Sequence, residues 1–102
     1  MPEPDTDKAL LKELHALLRE GEEAALEIFL RLVRPEDIAE CLDELSVDDR
    51  QRIVGVLDAE AAGTVLTDTT SPIRAQLVDE IAPERLARIA EAMPPDLSLI
   101  HI

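Results

Sequence analysis

Two stretches forty-eight positions apart follow one pattern, and this repeat constrains the fold more than any other feature of the chain. Residues 34–45 read RPEDIAECLDEL and residues 82–93 read APERLARIAEAM. In each, a proline stands where the first turn of a helix would begin and where its missing N–H has no intrahelical partner to lose. Acids follow (Glu36 and Asp37, then Glu84), at the helix end whose backbone N–H groups point outward. Ile38, Cys41, Leu42 and Leu45 then fall at i, i+3, i+4 and i+7, one apolar stripe on a helix. Leu86, Ile89, Ala90 and Met93 repeat that stripe, Ala39 matches Ala87, and Asp48 matches Asp96.

The rest of the chain falls into line with these two helices. Thr6 or Asp7 is placed to cap a first helix running to about residue 19, with Leu10, Leu11, Leu14, Leu17 and Leu18 inward. Gly21 is placed to stop it. A second helix over 22–33 turns Leu26, Phe29, Leu30 and Val33 inward, and a third covers 36–45. Ser46 caps a fourth, carrying Ile53, Val54 and Leu57, and Asp58 caps a fifth, carrying Ala62, Val65 and Leu66. Ser71-Pro72 opens a sixth, with Ile73, Leu77, Val78 and Ile81, and Ala82-Pro83 opens a seventh. Helix starts near 35, 47, 59, 72, 83 and 95 are about twelve residues apart.

Helices this short do not hold together alone. Each must bury its stripe against the next, as in stacked helical arrays. The expected fold is therefore all-α, an armadillo-like right-handed superhelix of about seven short helices in one domain. With one Phe and no Trp or Tyr, its core is built from Leu, Ile, Val and Ala, residues that suit helices better than strands. Gly55 and Gly63 fall inside expected helices, where each costs roughly 1 kcal/mol against Ala. Either they mark close helix crossings or they sit at exposed positions that tolerate any residue.

A net charge of −13 bounds the partners. Nucleic acid and anionic lipid surfaces are disfavoured, and basic protein surfaces or metal cations are favoured. The single cysteine, Cys41, has no internal partner for a disulfide; it packs as a small hydrophobe and points to a reducing compartment. The opening MPEPDTDK is acidic, unlike a signal peptide, and no apolar run approaches a membrane span of about 18 residues. The expected location is the cytoplasm.

No Gly-rich phosphate loop, zinc-ligand spacing or nucleophile motif is present, and His15 and His101 stand apart from Cys41, so no enzymatic activity is expected. Carboxylates are what the chain has in quantity. Glu36–Asp37, Asp43–Glu44, Asp48–Asp49 and Asp79–Glu80 are adjacent pairs. Magnesium keeps several waters and needs only one or two carboxylates, so such a site leaves little spacing signature. The plainer reading is that these acids solubilise outer helix faces and complement helix N-termini.

The order of features resembles the cytosolic N-terminal domain of MgtE-type magnesium transporters. The likeness begins at LLKELHALLREGEEAALEIFLRLV, continues through RPEDIAECLDELSVDDRQRIVGVLDAEAAGTVL and closes with SPIRAQLVDEIAPERLARIAEAMPPD, covering about residues 10–96. A weaker similarity exists to the helical repeats of flagellar motor switch proteins. On this basis residues 1–6 are a frayed lead, 7–96 the helical domain and 97–102 a tail foreign to the family, the chain being truncated before further domains.

The resemblance implies a regulatory domain that precedes a pair of CBS domains and a membrane domain, in a parent that is a homodimer. Magnesium bound between this domain and the CBS pair would hold the transporter closed, and its loss would let facing acids repel. Asp96 matches a family acid at the CBS interface, whereas two further family acids fall on Thr64 and Ile100. The implied metal ligand is therefore Asp96, shared with the CBS domains, and magnesium binding by the isolated chain would be weak or absent. The alternative is a stand-alone helical-repeat interaction scaffold without ion sensing.

Overall fold

The computed structural model describes residues 3–93, with side chains from Lys8 onward. It is all-α, with no strand among the described residues: α1 (Glu3–Glu20), α2 (Glu23–Arg31), α3 (Pro35–Cys41) extended by a 3-10 turn (Leu42–Glu44), α4 (Val47–Val56), α5 (Ala59–Asp68), α6 (Ser71–Glu80) and α7 (Pro83–Ala92). Helix α1 begins at Glu3, before the expected caps at Thr6 and Asp7. Pro4 does not prevent this, because the first helical N–H groups have no intrahelical acceptor.

The spacing of about twelve residues is kept with unusual regularity. The residues that begin helices α3 to α7, Arg34, Ser46, Asp58, Thr70 and Ala82, stand every twelve positions and all have extended backbone. The Ser46 hydroxyl accepts from the Asp49 N–H at 3.2 Å, and the Asp58 carboxylate accepts from the Ala61 N–H at 2.8 Å. Pro72 and Pro83 occupy the first turns of α6 and α7 without removing an intrahelical bond. Just before each of the last four helix starts stands another extended residue: Leu45, Leu57, Thr69 and Ile81. Every connector from α3 onward is thus two extended residues, the first turned toward the core and the second at the start of the next helix, where Ser46 and Asp58 cap with their side chains and Thr70 and Ala82 do not.

Such a short connector folds each helix back, and the helices sort into two layers. Helix α3 packs on α1 and α5, and α5 on α7; in the other layer α4 packs on α2 and α6. The true repeat is therefore a helix pair of twenty-four residues, half the forty-eight visible in the sequence. The core holds the expected stripes. Leu14, Leu26, Ile38, Leu42, Ile53, Val54, Val65, Leu77 and Ile89 are fully buried, each stabilising the fold by roughly 1.5–3 kcal/mol before conformational entropy is counted. Val78 departs from expectation and is 38% exposed, because Ile73 and Leu77 alone supply the inward face of α6.

The glycines separate cleanly. Gly21 has φ of +77° and ends α1, as its position after the leucine stripe predicts. A Cβ on Gly63 would lie 2.7 Å from Met93 Cγ, so its bare backbone admits α7 against α5. At Gly55 a Cβ would meet nothing within 4 Å, so that glycine serves no helix crossing.

Candidate functional site

The ten lysines and arginines have distinct tasks, and their placement defines the electrostatics of every surface. Four arginines donate to carbonyls at the C-terminal ends of helices and in the connectors that follow, some of which also accept a backbone N–H. Arg50 Nε donates to the Leu42 carbonyl at 2.8 Å and Arg74 Nε to the Leu66 carbonyl at 2.7 Å. Arg74 Nη2 also reaches the carbonyls of Thr67 and Thr69, each at 3.1 Å. Arg85 donates to the carbonyls of Val54 at 3.0 Å and Leu57 at 2.6 Å, fastening α7 to the end of α4. Arg52 does the same for Leu18 of α1 at 2.9 Å and pairs with Glu23 at 3.3 Å. Arg31 pairs with Glu27 and Arg34 with Glu36 on the surface.

Four of the ten basic side chains thus stabilise the array from within, and with 23 acids in the chain the outer shell is left with a large excess of carboxylate. The acid pairs differ in what the helices ask of them. Glu36–Asp37 and Asp48–Asp49 sit in the first turns of α3 and α4, where the helix dipole favours them and no further role is needed. Asp43–Glu44 closes the 3-10 turn that ends α3, and Asp79–Glu80 are the last two residues of α6. There the dipole opposes them, by a few tenths of a kcal/mol each at exposed sites. All four are exposed, and none forms an ion pair among the described residues. Of the adjacent acid pairs, these are the two that helix stability does not explain; single exposed acids, Glu20 and Asp68, likewise end α1 and α5.

Glu80 lines a groove of about 300 Å³ with Gln51, Val54, Gly55, Leu77, Ile81, Ala82 and Arg85. Glu44 and Glu40 line another of about 320 Å³ with Lys8, Leu11 and Cys41. No group of three or more His, Cys, Asp or Glu side chains able to hold a metal ion occurs among the described residues. Asp96, the expected ligand, lies outside the described residues, as do Ile100 and His101. Thr64 is half-buried on α5, where its hydroxyl donates to the Glu60 carbonyl at 3.3 Å.

A two-layer array of short helices, stapled by arginines and coated with acid, defines an acidic helical-repeat domain. Residues 33–99 match the family of the MgtE intracellular N domain, more than half of the chain, and the chain belongs to that family. The family is the intracellular N-terminal domain of MgtE-type magnesium transporters. The matched span begins within the α2–α3 connector, leaves α1 and α2 outside it, and takes in Asp96. No curated protein and no solved structure matches the chain. No helix among the described residues is long and apolar enough to cross a membrane.

Proposed function

We propose that this domain is the non-catalytic magnesium sensor of a transporter, acting at the cytoplasmic face of the membrane by docking on a CBS domain pair when magnesium is present. Within the MgtE family, the reading rests on one observation: Asp43–Glu44 and Asp79–Glu80 are unpaired acids at helix ends that disfavour them. Two carboxylates brought to about 4 Å repel by about 4 kcal/mol at an effective dielectric of about 20. That is roughly a thousandfold in a docking equilibrium. A hydrated magnesium ion between them reverses the sign. Asp96 adds a carboxylate within the family-matched span, and the partner supplies the rest of the shell.

At high magnesium the domain is held against its partner and the transporter stays closed. At low magnesium the acids repel and the domain swings free. The experiment is co-elution of the chain with the CBS pair of an MgtE-family transporter, in magnesium and in chelator at matched ionic strength. Complex formation in magnesium alone supports the sensor. Equal formation in chelator overturns it in favour of a scaffold that binds without ions.

A further inference from the structure

Among the described residues, three of the four cations that neither clasp a carbonyl nor join an ion pair, Lys8, Lys12 and Arg19, lie on one stripe of α1; the fourth, Arg88, is on α7. With His15 these residues stand at i, i+4, i+7 and i+11, one face of a helix. They share a single surface depression with Leu11 and Ala16. Lys8, Lys12 and Arg19 are exposed. In a chain of net charge −13 this is the one concentration of positive charge among the described residues, and its neighbour is its opposite. The groove that Lys8 and Leu11 share with Glu40, Cys41 and Glu44 sets the Lys8 end of the basic stripe beside an acidic stripe of α3 and its 3-10 turn, and α1 packs along α3. Glu36, Glu40, Asp43 and Glu44 form that stripe, and all four are exposed.

A positive and a negative stripe side by side make a surface complementary to itself. Rotation about a two-fold axis lays the basic stripe of one copy on the acidic stripe of another and the acidic on the basic, as an isologous dimer requires. We propose that the α1–α3 face docks a second copy of this chain, and that the basic stripe selects the like face over the other acidic faces because only there is the match reciprocal. The proposal does not depend on magnesium sensing, and α1 lies outside the family-matched span.

Magnitudes give this association an unusual salt dependence. The molecule measures 38 × 32 × 23 Å. At an ionic strength of about 0.01 M the screening length is about 30 Å, so whole molecules of charge −13 repel. At about 0.15 M it is about 8 Å, which screens the distant acids and leaves the contacting stripes attractive. At about 1 M it is about 3 Å, and the stripes lose their attraction too. Exposed ion pairs are individually weak, so the dimer is a low-affinity one.

Sedimentation velocity of the chain alone, in chelator, tests this over a range of concentration and salt. The expected result is a rise from monomer toward dimer with concentration near 0.15 M that is lost at both salt extremes. Lys8→Glu/Lys12→Glu/Arg19→Glu and Glu36→Lys/Glu40→Lys/Glu44→Lys should each stay monomeric, and a mixture of the two should associate. If charge reversal disturbs folding, Lys12→Gln/Arg19→Gln should still weaken self-association. A wild-type chain that is monomeric throughout, a dimer that persists at high salt, reversed chains that fail to associate on mixing, or a neutralised chain that pairs as well as wild type would each overturn the proposal.

Discussion

Arg74 donates to the carbonyl of Leu66, eight residues before it, at 2.7 Å, and the same relationship joins Arg50 to Leu42 twenty-four positions earlier at 2.8 Å. Each guanidinium leaves one layer of the array and closes the end of a helix in the other. A side chain that reads in sequence as solvated surface is here a structural clasp, since the last carbonyls of a helix have no donor of their own. The planar fork of arginine lets one side chain satisfy several of them, which a lysine cannot do. The same use of arginine leaves the carboxylates outside without internal partners.

Arg74→Ala removes three such bonds and should lower stability by roughly 2–3 kcal/mol, with Arg74→Lys recovering only a minor part. Arg88→Ala, at an exposed residue, should change it by less than about 0.5 kcal/mol. Urea unfolding followed by circular dichroism reads both, and equal effects would show that the clasps contribute nothing.

Thr69 occupies a connector position that carries Leu45, Leu57 and Ile81 elsewhere in the array. It is buried, and its hydroxyl has no hydrogen-bond partner among the described residues. Thr69→Val keeps the shape and removes the unsatisfied group, so the midpoint of thermal unfolding should rise, by about 1 kcal/mol of stability.

The two helical glycines should respond in opposite ways. Gly55→Ala has open space for its methyl group and should stabilise the domain by about 0.5–1 kcal/mol. Gly63→Leu drives a side chain into Met93 and Ile89 and should destabilise by about 1–3 kcal/mol through overpacking of α5 against α7. Paired denaturation curves decide whether α7 is seated as closely as described.

Leu42→Asp places a charge where the native side chain is fully buried and should abolish cooperative unfolding. A melt like that of the wild type would show the register of α3 to be wrong.

Much of this architecture was legible because its rules are local. Ser46, Asp58, Pro72, Pro83 and Gly21 announce helix ends by their own chemistry, and the stripes around Ile38, Ile53 and Val65 follow the helical period. The twenty-four-residue pair was hidden because its middle copy replaces Leu45 by Thr69 and Ala39 by Gly63, which share shape constraints but not hydropathy. The 3-10 turn at Leu42–Glu44 reads as a simple continuation of α3, since its apolar spacing is helical. The arginine clasps depend on contacts up to thirty-four residues apart, which no local pattern carries. The division of the acid pairs needed the helix ends to be placed first, and Asp96 lies outside the described residues.

Magnesium sensing by this domain requires that its acids take up magnesium as it docks. The most direct measurement is calorimetric titration of the CBS pair into the chain at a series of free magnesium concentrations and constant ionic strength. The logarithm of the binding constant plotted against that of free magnesium has a slope equal to the ions taken up. The account predicts a slope of about one or more, reduced by Asp96→Asn and by Asp79→Asn/Glu80→Gln without loss of folding. A slope of zero, with docking intact in chelator, would contradict it.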